Sequence, residues 1–285
     1  MVTDALVGQP AVTAQPLQRV HTRGWRRGLA TFLAKEHHAW WGTRRWLVDL
    51  LVWLALINGA VALTAWAVAD ARNQPEAAAE ITPGRVYQLA LQVFFQIGVM
   101  ATAIGAVIGS QGAIIREKQL GTAAWVLSKP TSRSAFVLAK VSAYATALLV
   151  LGIALPSLVG YAEIWLVAGR APDLAAFVAG VGVWSLHLLF YLALTMMLGT
   201  LFASRGPVVG LGLGFLFAGN FIPTVIPGTT LIFPWPLSQL SLVLALGADA
   251  SQPIPATAIV PVLATILWTG VFVTVALWRF RREEF

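Results

Sequence analysis

Six long apolar segments constrain the fold of this chain more than any other feature of its sequence. A helix needs roughly 20 predominantly apolar residues to cross the hydrocarbon core of a bilayer. Six segments reach that length, and they cover residues 46–69, 87–115, 141–165, 175–203, 206–225 and 256–278. Charged residues make up only 11% of the chain, whereas a soluble domain has about 25%. The sequence therefore predicts an all-α polytopic membrane protein with six transmembrane helices.

The boundary between the fourth and fifth segments depends on a proline. Only Ser204 and Arg205 separate these two segments, and Gly206 and Pro207 follow at once. Proline is tolerated in the first turn of a helix but breaks a helix in its interior. We therefore predict two helices here and not one long helix.

Lysine and arginine are distributed unequally between the two sides of the predicted membrane domain. The N-terminal tail, the loop at 116–140 and the C-terminal end are rich in them, whereas the opposite side holds only Arg72, Arg85 and Arg170. Because cytoplasmic loops carry the excess of these residues, both termini are predicted to be cytoplasmic. The formal net charge of +7 follows from this topology, so no nucleic-acid partner is expected.

Several kinds of chemistry are excluded by what the sequence lacks. The chain has no cysteine, which rules out disulfides and thiolate sites. It has no Lys-bearing phosphate loop and no H-E-x-x-H zinc motif, so we predict no catalytic residue and no metal site. Any ATP energy has to come from another polypeptide. The first 45 residues hold no apolar run typical of a cleavable signal peptide.

The N-terminal region divides into two parts. Residues 1–22 are polar and are expected to form a disordered cytoplasmic tail, whereas residues 23–285 are expected to form the membrane domain. From Trp25 onward, apolar residues at helical spacing predict an amphipathic helix on the inner leaflet, either a simple anchor or a mechanical elbow. This elbow helix carries Lys35 and Glu36. Glu36 lies within the apolar stripe, where an isolated carboxylate is costly, so we expect a cationic partner for it.

The loop between the second and third spans carries an apolar patch rimmed by charges. A short helix is predicted at 123–127, with Thr122 as its N-cap. Such a patch indicates a protein partner, and the alternative is that its apolar side chains dip into the lipid interface. The candidate contact residues of this loop are Arg116, Glu117, Lys118, Gly121, Thr122, Trp125, Leu127 and Arg133.

On the opposite side, the loop at 226–255 contains an apolar run at 237–246 that is too short to span a membrane. Prolines lie on both sides of the run, and the loop has no lysine or arginine. These features predict a re-entrant or interfacial helix. It serves either as an outer gate or as a structural plug against neighbouring helices.

Few polar residues lie in the middle of the spans. Four uncharged ones are candidates for a transport pathway, and the alternative is that they bond across helices: Asn58, Gln92, Gln96 and Asn220. His187 is expected to be a hydrogen-bonded core residue, since a lone histidine is more often such a residue than a ligand.

Small residues recur every four positions in two spans, a spacing that lets helix backbones approach closely. In the second span, at 101–113, we interpret this pattern as packing within one chain. In the fifth span the pattern is formed by Gly206, Gly210 and Gly214, and there we interpret it as a contact with a second copy.

Three features resemble the integral membrane subunits of ABC-2 type transporters. The first is the pair Lys35 and Glu36 on a helix before the first span. The second is the sequence at 116–122, followed by 127–133 and Lys140. The third is the six-helix layout with an apolar re-entrant loop before the last span. Ala139 stands where that family usually has glycine, and the resemblance covers about residues 30–282.

The resemblance implies a function and a set of partners. This chain would pair with a second copy of itself or with a related permease, in the cytoplasmic membrane of a prokaryote and among its lipids. Two copies of a separate ABC ATPase would bind ATP and Mg²⁺, so this chain would be neither an enzyme nor a cofactor protein. Residues 116–127 would form a coupling helix in a groove of the ATPase, touched also by the elbow helix. Spans one, two and five would line the pathway.

The expected function is therefore the permease subunit of an ATP-driven exporter. One alternative is a non-transporting membrane anchor or assembly factor for an ATPase. Another is an ATP-independent carrier or channel, although ion-driven carriers generally need buried carboxylates that are scarce here. Spans with few charges favour an amphipathic or lipid-like cargo.

Overall fold

The computed structural model describes Gly24 and residues 26–78, 81–120, 131–250 and 253–283. Within these ranges the chain is helical and contains no strand. The predicted tail at 1–22 lies outside the described residues. The principal helices are α1 (Leu29–Trp41), α2 (Arg45–Ala71), α3 (Pro83–Ser110), α4 (Ile115–Gln119), α5 (Arg133–Ala168), α6 (Leu174–Leu201), α7 (Arg205–Ala218), α8 (Leu237–Leu246) and α9 (Ile259–Arg281). Shorter helices lie in the connections, at Pro75–Ala78, Ile222–Val225 and Thr229–Ile232.

Five helices in the described part of the chain are long and apolar enough to cross a membrane. They are α2, α3 with its continuation α4, α5, α6 and α9, and they confirm five of the six predicted spans.

The remaining predicted span, at 206–225, differs in the structure. Its helix α7 has 14 residues, about 21 Å at 1.5 Å per residue, whereas the hydrocarbon core is about 30 Å thick. α7 ends at Ala218, and a turn separates it from the short helix Ile222–Val225. The predicted count of six full spans is therefore not confirmed. The predicted separation of α6 from α7 is confirmed, because the break falls at residues 202–204.

Two of the spans widen into π-helical turns, Leu54–Asn58 in α2 and Leu148–Ala154 in α5, and each turn packs against the other span. Pro156 explains the second, because a proline inside a helix has no N–H and its ring crowds the carbonyl one turn earlier. Asn58 bridges the two helices. Its Nδ2 donates to the Pro156 carbonyl at 3.1 Å and to Glu163 Oε2 at 2.9 Å.

An aromatic cluster joins α3 to α6. Phe94 and Phe95 of α3 meet Phe177 and Trp184 of α6, with ring centroids 5.5 to 6.0 Å apart. Such pairs contribute about 0.5–1.5 kcal/mol each beyond the area that they bury. Trp184 Nε1 also donates to Thr102 Oγ1 at 2.8 Å, so its one polar atom is satisfied in the core.

The helix α8 has the bounds predicted for the apolar run at 237–246, which confirms that helix. It packs between α3 and α6, with Leu237, Ser241 and Ala245 buried. Gly180 of α6 permits the close approach, because a Cβ at that position would lie 2.5 Å from the Ser241 carbonyl oxygen. This contact is the packing that the structural-plug interpretation predicts.

The packing of Trp184 against Gly98 can be tested by adding one methyl group at Gly98. A Cβ at Gly98 would lie 2.5 Å from the buried Trp184 ring, and overpacking of this kind costs about 1–3 kcal/mol. Gly98→Ala should therefore lower the midpoint of thermal unfolding in detergent. Gly182→Ala is the matched control, because nothing lies within 4 Å of a Cβ there. Equal midpoints for the two variants would contradict the tight contact.

Candidate functional site

The first helix, α1, buries one face against the beginning of α5. Phe32, Glu36 and Trp40 recur every four positions and are the buried residues of α1. The Phe32 ring meets Phe136 edge-on at 5.7 Å, and the Trp40 ring meets Tyr144 edge-on at 5.2 Å. This stripe was expected to lie on the lipid leaflet, and in the structure it is covered by α5.

Four charged side chains meet where α1, α4 and α5 converge, and we call them the charge cluster (Lys35, Glu36, Glu117 and Lys140). Lys140 Nζ lies 2.9 Å from Glu36 Oε1 and 3.0 Å from Glu117 Oε1. Lys35 Nζ lies 3.2 Å from the same Glu117 oxygen. The cationic partner expected for Glu36 is therefore Lys140 of the same chain.

Burial makes Lys140 the central member of the charge cluster. Only 4% of its side chain is exposed, against 54% for Lys35. Removing an ammonium from water is expensive, and the cost is offset only by close opposite charges. Two carboxylates supply that compensation, and the two aromatic pairs between α1 and α5 flank the Glu36–Lys140 contact on either side.

The helix α4 is fastened on its other side to α6 and to the C-terminal residues. Lys118 Nζ lies 2.7 Å from Glu283 Oε1 and donates to the Thr200 carbonyl at 3.1 Å. Gln119 Nε2 donates to the Ala203 carbonyl at 3.0 Å. As a result, α4 is held between α1 and α5 on one side and the end of α6 on the other.

Arg116 and Arg133 are both predicted for the partner contact, but their surroundings differ in the structure. Arg133 Nη1 donates to the carbonyls of Arg281, at 3.0 Å, and Glu283. Arg281 Nε in turn donates to Ser134 Oγ at 2.7 Å. Arg133 therefore holds the C-terminal end of the same chain, whereas Arg116 is exposed.

Four of the predicted contact residues lie outside the described residues: Gly121, Thr122, Trp125 and Leu127. The segment that contains them, 121–130, directly follows Leu120, which is 65% exposed, and ends two residues before Ser132, the N-cap of α5. The charge cluster thus stands at the base of this segment, where the chain leaves α4 and enters α5.

Sequence reasoning missed the role of two charged residues. The sequence pattern predicts Lys140 as a loop lysine, whereas the structure buries it. A lysine directly before an apolar run is a signal for burial when a carboxylate elsewhere needs a partner. No feature of the sequence indicates a role for Glu283, because its partner Lys118 lies far away in the sequence.

The predicted pathway residues separate into two places. Asn58 is buried between α2 and α5 and is hydrogen-bonded there. Gln92, Gln96 and Asn220 line two adjoining cavities of about 410 and 350 Å³ between α3, α6 and α8. We call these cavities the polar groove, and its polar lining consists mainly of Gln88, Gln92, Gln96, His187, Asn220 and Gln239.

The glycine stripe of α7 is open on its outer side. A Cβ at Gly206, Gly210 or Gly214 would meet nothing within 4 Å, whereas a Cβ at Gly212 would press against Val107 at 2.8 Å. In the second span the two glycines of the stripe differ, because a Cβ at Gly109 would meet nothing within 4 Å. A Cβ at Gly105 would meet the Trp53 ring at 2.2 Å, which is packing within the chain.

Comparison with known proteins gives one family. The sequence profile described as ABC-2 family transporter protein matches residues 42–285, from the residue after α1 to the end of the chain. The match confirms the family resemblance drawn from the sequence. Among curated protein sequences, none matches the chain significantly.

The charge cluster predicts a large effect of removing its buried lysine. Lys140→Met leaves two carboxylates without their shared cation, and breaking a buried ion pair in this way costs about 3–5 kcal/mol. We expect α1 to separate from α5. Because the chain has no cysteine, Ala143→Cys gives a unique thiol, and Ala143 is buried beneath Trp40. A water-soluble maleimide should label this thiol faster when Lys140→Met is also present.

Two further variants complete this test. Asp249→Asn breaks the Arg170–Asp249 pair at 2.9 Å, which involves neither α1 nor the start of α5. A partly exposed pair of this kind contributes only about 0–1 kcal/mol, so labelling should not change. Glu36→Leu combined with Lys140→Met replaces the ion pair by an apolar pair and should restore protection. Slow labelling in Lys140→Met itself would mean that the charge cluster does not hold α1.

Proposed function

Because this chain belongs to the ABC-2 family of transporters, we propose that it is the membrane-spanning permease subunit of an ATP-binding cassette exporter. ATP and Mg²⁺ bind to a separate ATPase subunit, present in two copies, and a second copy of this chain or a related permease completes the complex. The complex lies in the cytoplasmic membrane of a prokaryote, with both termini of this chain in the cytoplasm.

The observation that carries the proposal is the convergence of α1, α4 and α5 on the charge cluster at the base of segment 121–130. In an ATP-driven transporter, motion of an ATPase has to reach the spans through the loop that contacts it. Here the chain runs from α3 through α4, which continues the same span, into the loop. From the loop it continues into α5. Force on the loop would therefore act on two spans at once.

The ion pairs of the charge cluster stiffen the place where α1, α4 and α5 meet, which we call the junction. Lys140 holds Glu36 and Glu117 together at 2.9 and 3.0 Å, and separation would leave buried charges uncompensated. A displacement of α4 would consequently carry α1 and the start of α5 with it. The contacts of Lys118 with Thr200 and Glu283 extend the junction to α6 and to the C-terminal end.

Within this proposal α1 acts as a mechanical elbow. A simple lipid anchor would keep its apolar face in the leaflet, whereas the buried face of α1 contacts α5. The exposed Lys35 and Arg116 are placed at the rim of the junction, where they could form ion pairs with the ATPase.

Two other functions make different predictions. A non-transporting anchor for an ATPase would use the same junction, but its ATPase would not respond to a transported substrate. An ATP-independent carrier or channel would have no ATPase partner. The family membership favours the exporter over both.

The junction can be tested through hydrolysis in the complex. The tagged chain is purified from its native host in mild detergent, and the co-purifying subunit is identified by its Walker motif. Glu117→Gln with Trp125→Ala is expected to lower transport-linked ATP hydrolysis by about tenfold, the ratio that corresponds to 1.4 kcal/mol of lost coupling. Lys140 keeps Glu36 as its partner at 2.9 Å in this variant, so the spans should stay folded, which an unchanged unfolding midpoint would verify.

Gln111→Leu serves as the control, since it changes a polar side chain of the same span outside the junction. Normal ATP hydrolysis in the double variant would mean that the junction takes no part in coupling. A chain that purifies without an ATPase would favour the carrier or channel, and hydrolysis that no substrate stimulates would favour the anchor.

The open glycine stripe predicts the surface that meets a second copy. Small residues every four positions let two helices pack closely in lipid, so Gly210→Leu together with Gly214→Leu should convert dimers to monomers. Native mass spectrometry from lipid nanodiscs would measure the two populations. Gly270→Leu is the matched control, because it also adds bulk at a glycine with nothing within 4 Å. Dimers that persist with both α7 substitutions would place the interface elsewhere.

A further inference from the structure

The polar groove begins with a regular row of amides on α3. Gln88, Gln92 and Gln96 recur every four residues, so they lie on one face of the helix, and all three are exposed in the chain. Gln96 lies 13 positions beyond Pro83, the first residue of α3, which is about 20 Å along the helix axis. An amide this deep in a span is unfavourable against lipid hydrocarbon, so this face requires a polar neighbour or an aqueous space.

The helix α8 forms the facing wall and makes the groove continuous. Gln239 of α8 and Gln96 line both cavities, the one of about 410 Å³ and the one of about 350 Å³. The smaller cavity extends to Asp249, at the end of α8 predicted to lie outside, and the larger one reaches Asn220 beyond α7. A single path therefore leads from that outer end to the middle of the spans.

His187 lines the inner cavity and has an unused polar atom. Its side chain is nearly enclosed, with 3% of the residue exposed, and its Nδ1 has no hydrogen-bond partner among the described residues. Buried polar atoms are almost always hydrogen-bonded in folded proteins. His187 lies 13 positions from the start of α6, as Gln96 does from the start of α3. Both residues line this inner cavity, so a molecule in it can contact both side chains.

The lining of the groove is unfavourable for a charged occupant. Among the described residues, none that lines the inner cavity is a lysine, arginine, aspartate or glutamate. In the described lining of the outer cavity the one such residue is Asp249, whose carboxylate lies 2.9 Å from Arg170 Nη2. A charged group in the inner cavity would lose its hydration with no opposite charge in return. Amides both donate and accept hydrogen bonds, and hydroxyl groups do the same.

Part of the lining of the inner cavity is apolar. Val99, Met100, Leu216 and Trp235 line it together with Gly219, Ser238, the amides and His187. A hydrocarbon chain can lie against the apolar side chains while a polar group meets the amides. The arrangement therefore suits a molecule that is amphipathic and uncharged.

We propose that the polar groove is the substrate site and that it binds the uncharged, hydroxyl-rich headgroup of an amphipathic molecule, with His187 and Gln96 as ligands at its inner end. This inference rests on the proposed transport function and adds the chemical class of the substrate. Such a headgroup can be part of a membrane lipid or of a soluble glycoside, and the two sources are separated in the experiment.

The test measures retention of defined ligands by the purified chain in nanodiscs of phosphatidylcholine. One set of nanodiscs contains glucosyl diacylglycerol, a second contains phosphatidylglycerol, and a third receives methyl glucoside in solution. Native mass spectrometry counts the molecules that stay bound. Glucosyl diacylglycerol should be retained over phosphatidylglycerol, and Gln96→Leu and His187→Phe should each lower its retention about fivefold, the ratio expected for one lost hydrogen bond.

The controls separate binding from folding. Gln111→Leu removes an amide from the same span outside the groove and should leave retention unchanged, and His187→Asn should restore part of it by supplying an amide. Gln96 is exposed, so its replacement should not unfold the bundle, which an unchanged unfolding midpoint would verify. Retention of methyl glucoside in place of the lipid would assign the site to a soluble glycoside.

Two results would overturn the inference. One is equal retention of phosphatidylglycerol and the glucosyl lipid, and the other is retention that neither groove variant changes. Because the measurement uses this chain without an ATPase, either result leaves the proposed coupling function to be judged by hydrolysis in the complex.

Discussion

The buried ammonium of Lys140 is the interaction on which one end of this helix bundle depends. A cation with 4% exposure is tolerated only where carboxylates surround it, and the two carboxylates come from helices that do not otherwise need to meet. Glu36 brings α1 onto α5, and Glu117 brings α4 to the same place. The ion pairs of Lys140 therefore help to fix where α1 and α4 lie against the start of α5.

The rest of the bundle is held by a different kind of contact. In lipid, apolar side chains gain little by leaving one hydrocarbon environment for another, so packing and internal hydrogen bonds decide which helices associate. Trp184 fits over Gly98 and bonds to Thr102, and Asn58 ties α2 to α5 beside two π-helical turns. These contacts leave the exposed amide row of α3 on a separate face.

Most charged side chains of the bundle and its uncharged polar side chains thus lie in different places. Charged residues collect where α1, α4 and α5 meet, whereas the groove between α3, α6 and α8 offers amides, an imidazole and apolar walls. The helix α3 takes part in both places, because it continues into α4 at one end and carries the glutamine row toward the other. Motion at the junction would reach the groove through this helix.

The sequence by itself determined the features that depend on local pattern. The length of the apolar segments predicted six spans, of which five are confirmed. Pro207 predicted the break between α6 and α7, and the apolar run at 237–246 predicted α8 with its bounds. It also indicated that Glu36 needs a cation, since burial of its stripe follows from helical periodicity.

Only the tertiary structure decided which residues meet. Glu36 and Lys140 are 104 positions apart, and nothing local encodes that contact. The early end of α7, and the grouping of Gln96 with His187 while Asn58 bonds elsewhere, were likewise settled by packing. The physical reason is that hydrophobic periodicity specifies which face of a helix is buried, whereas the partner of that face depends on the simultaneous fit of all the helices.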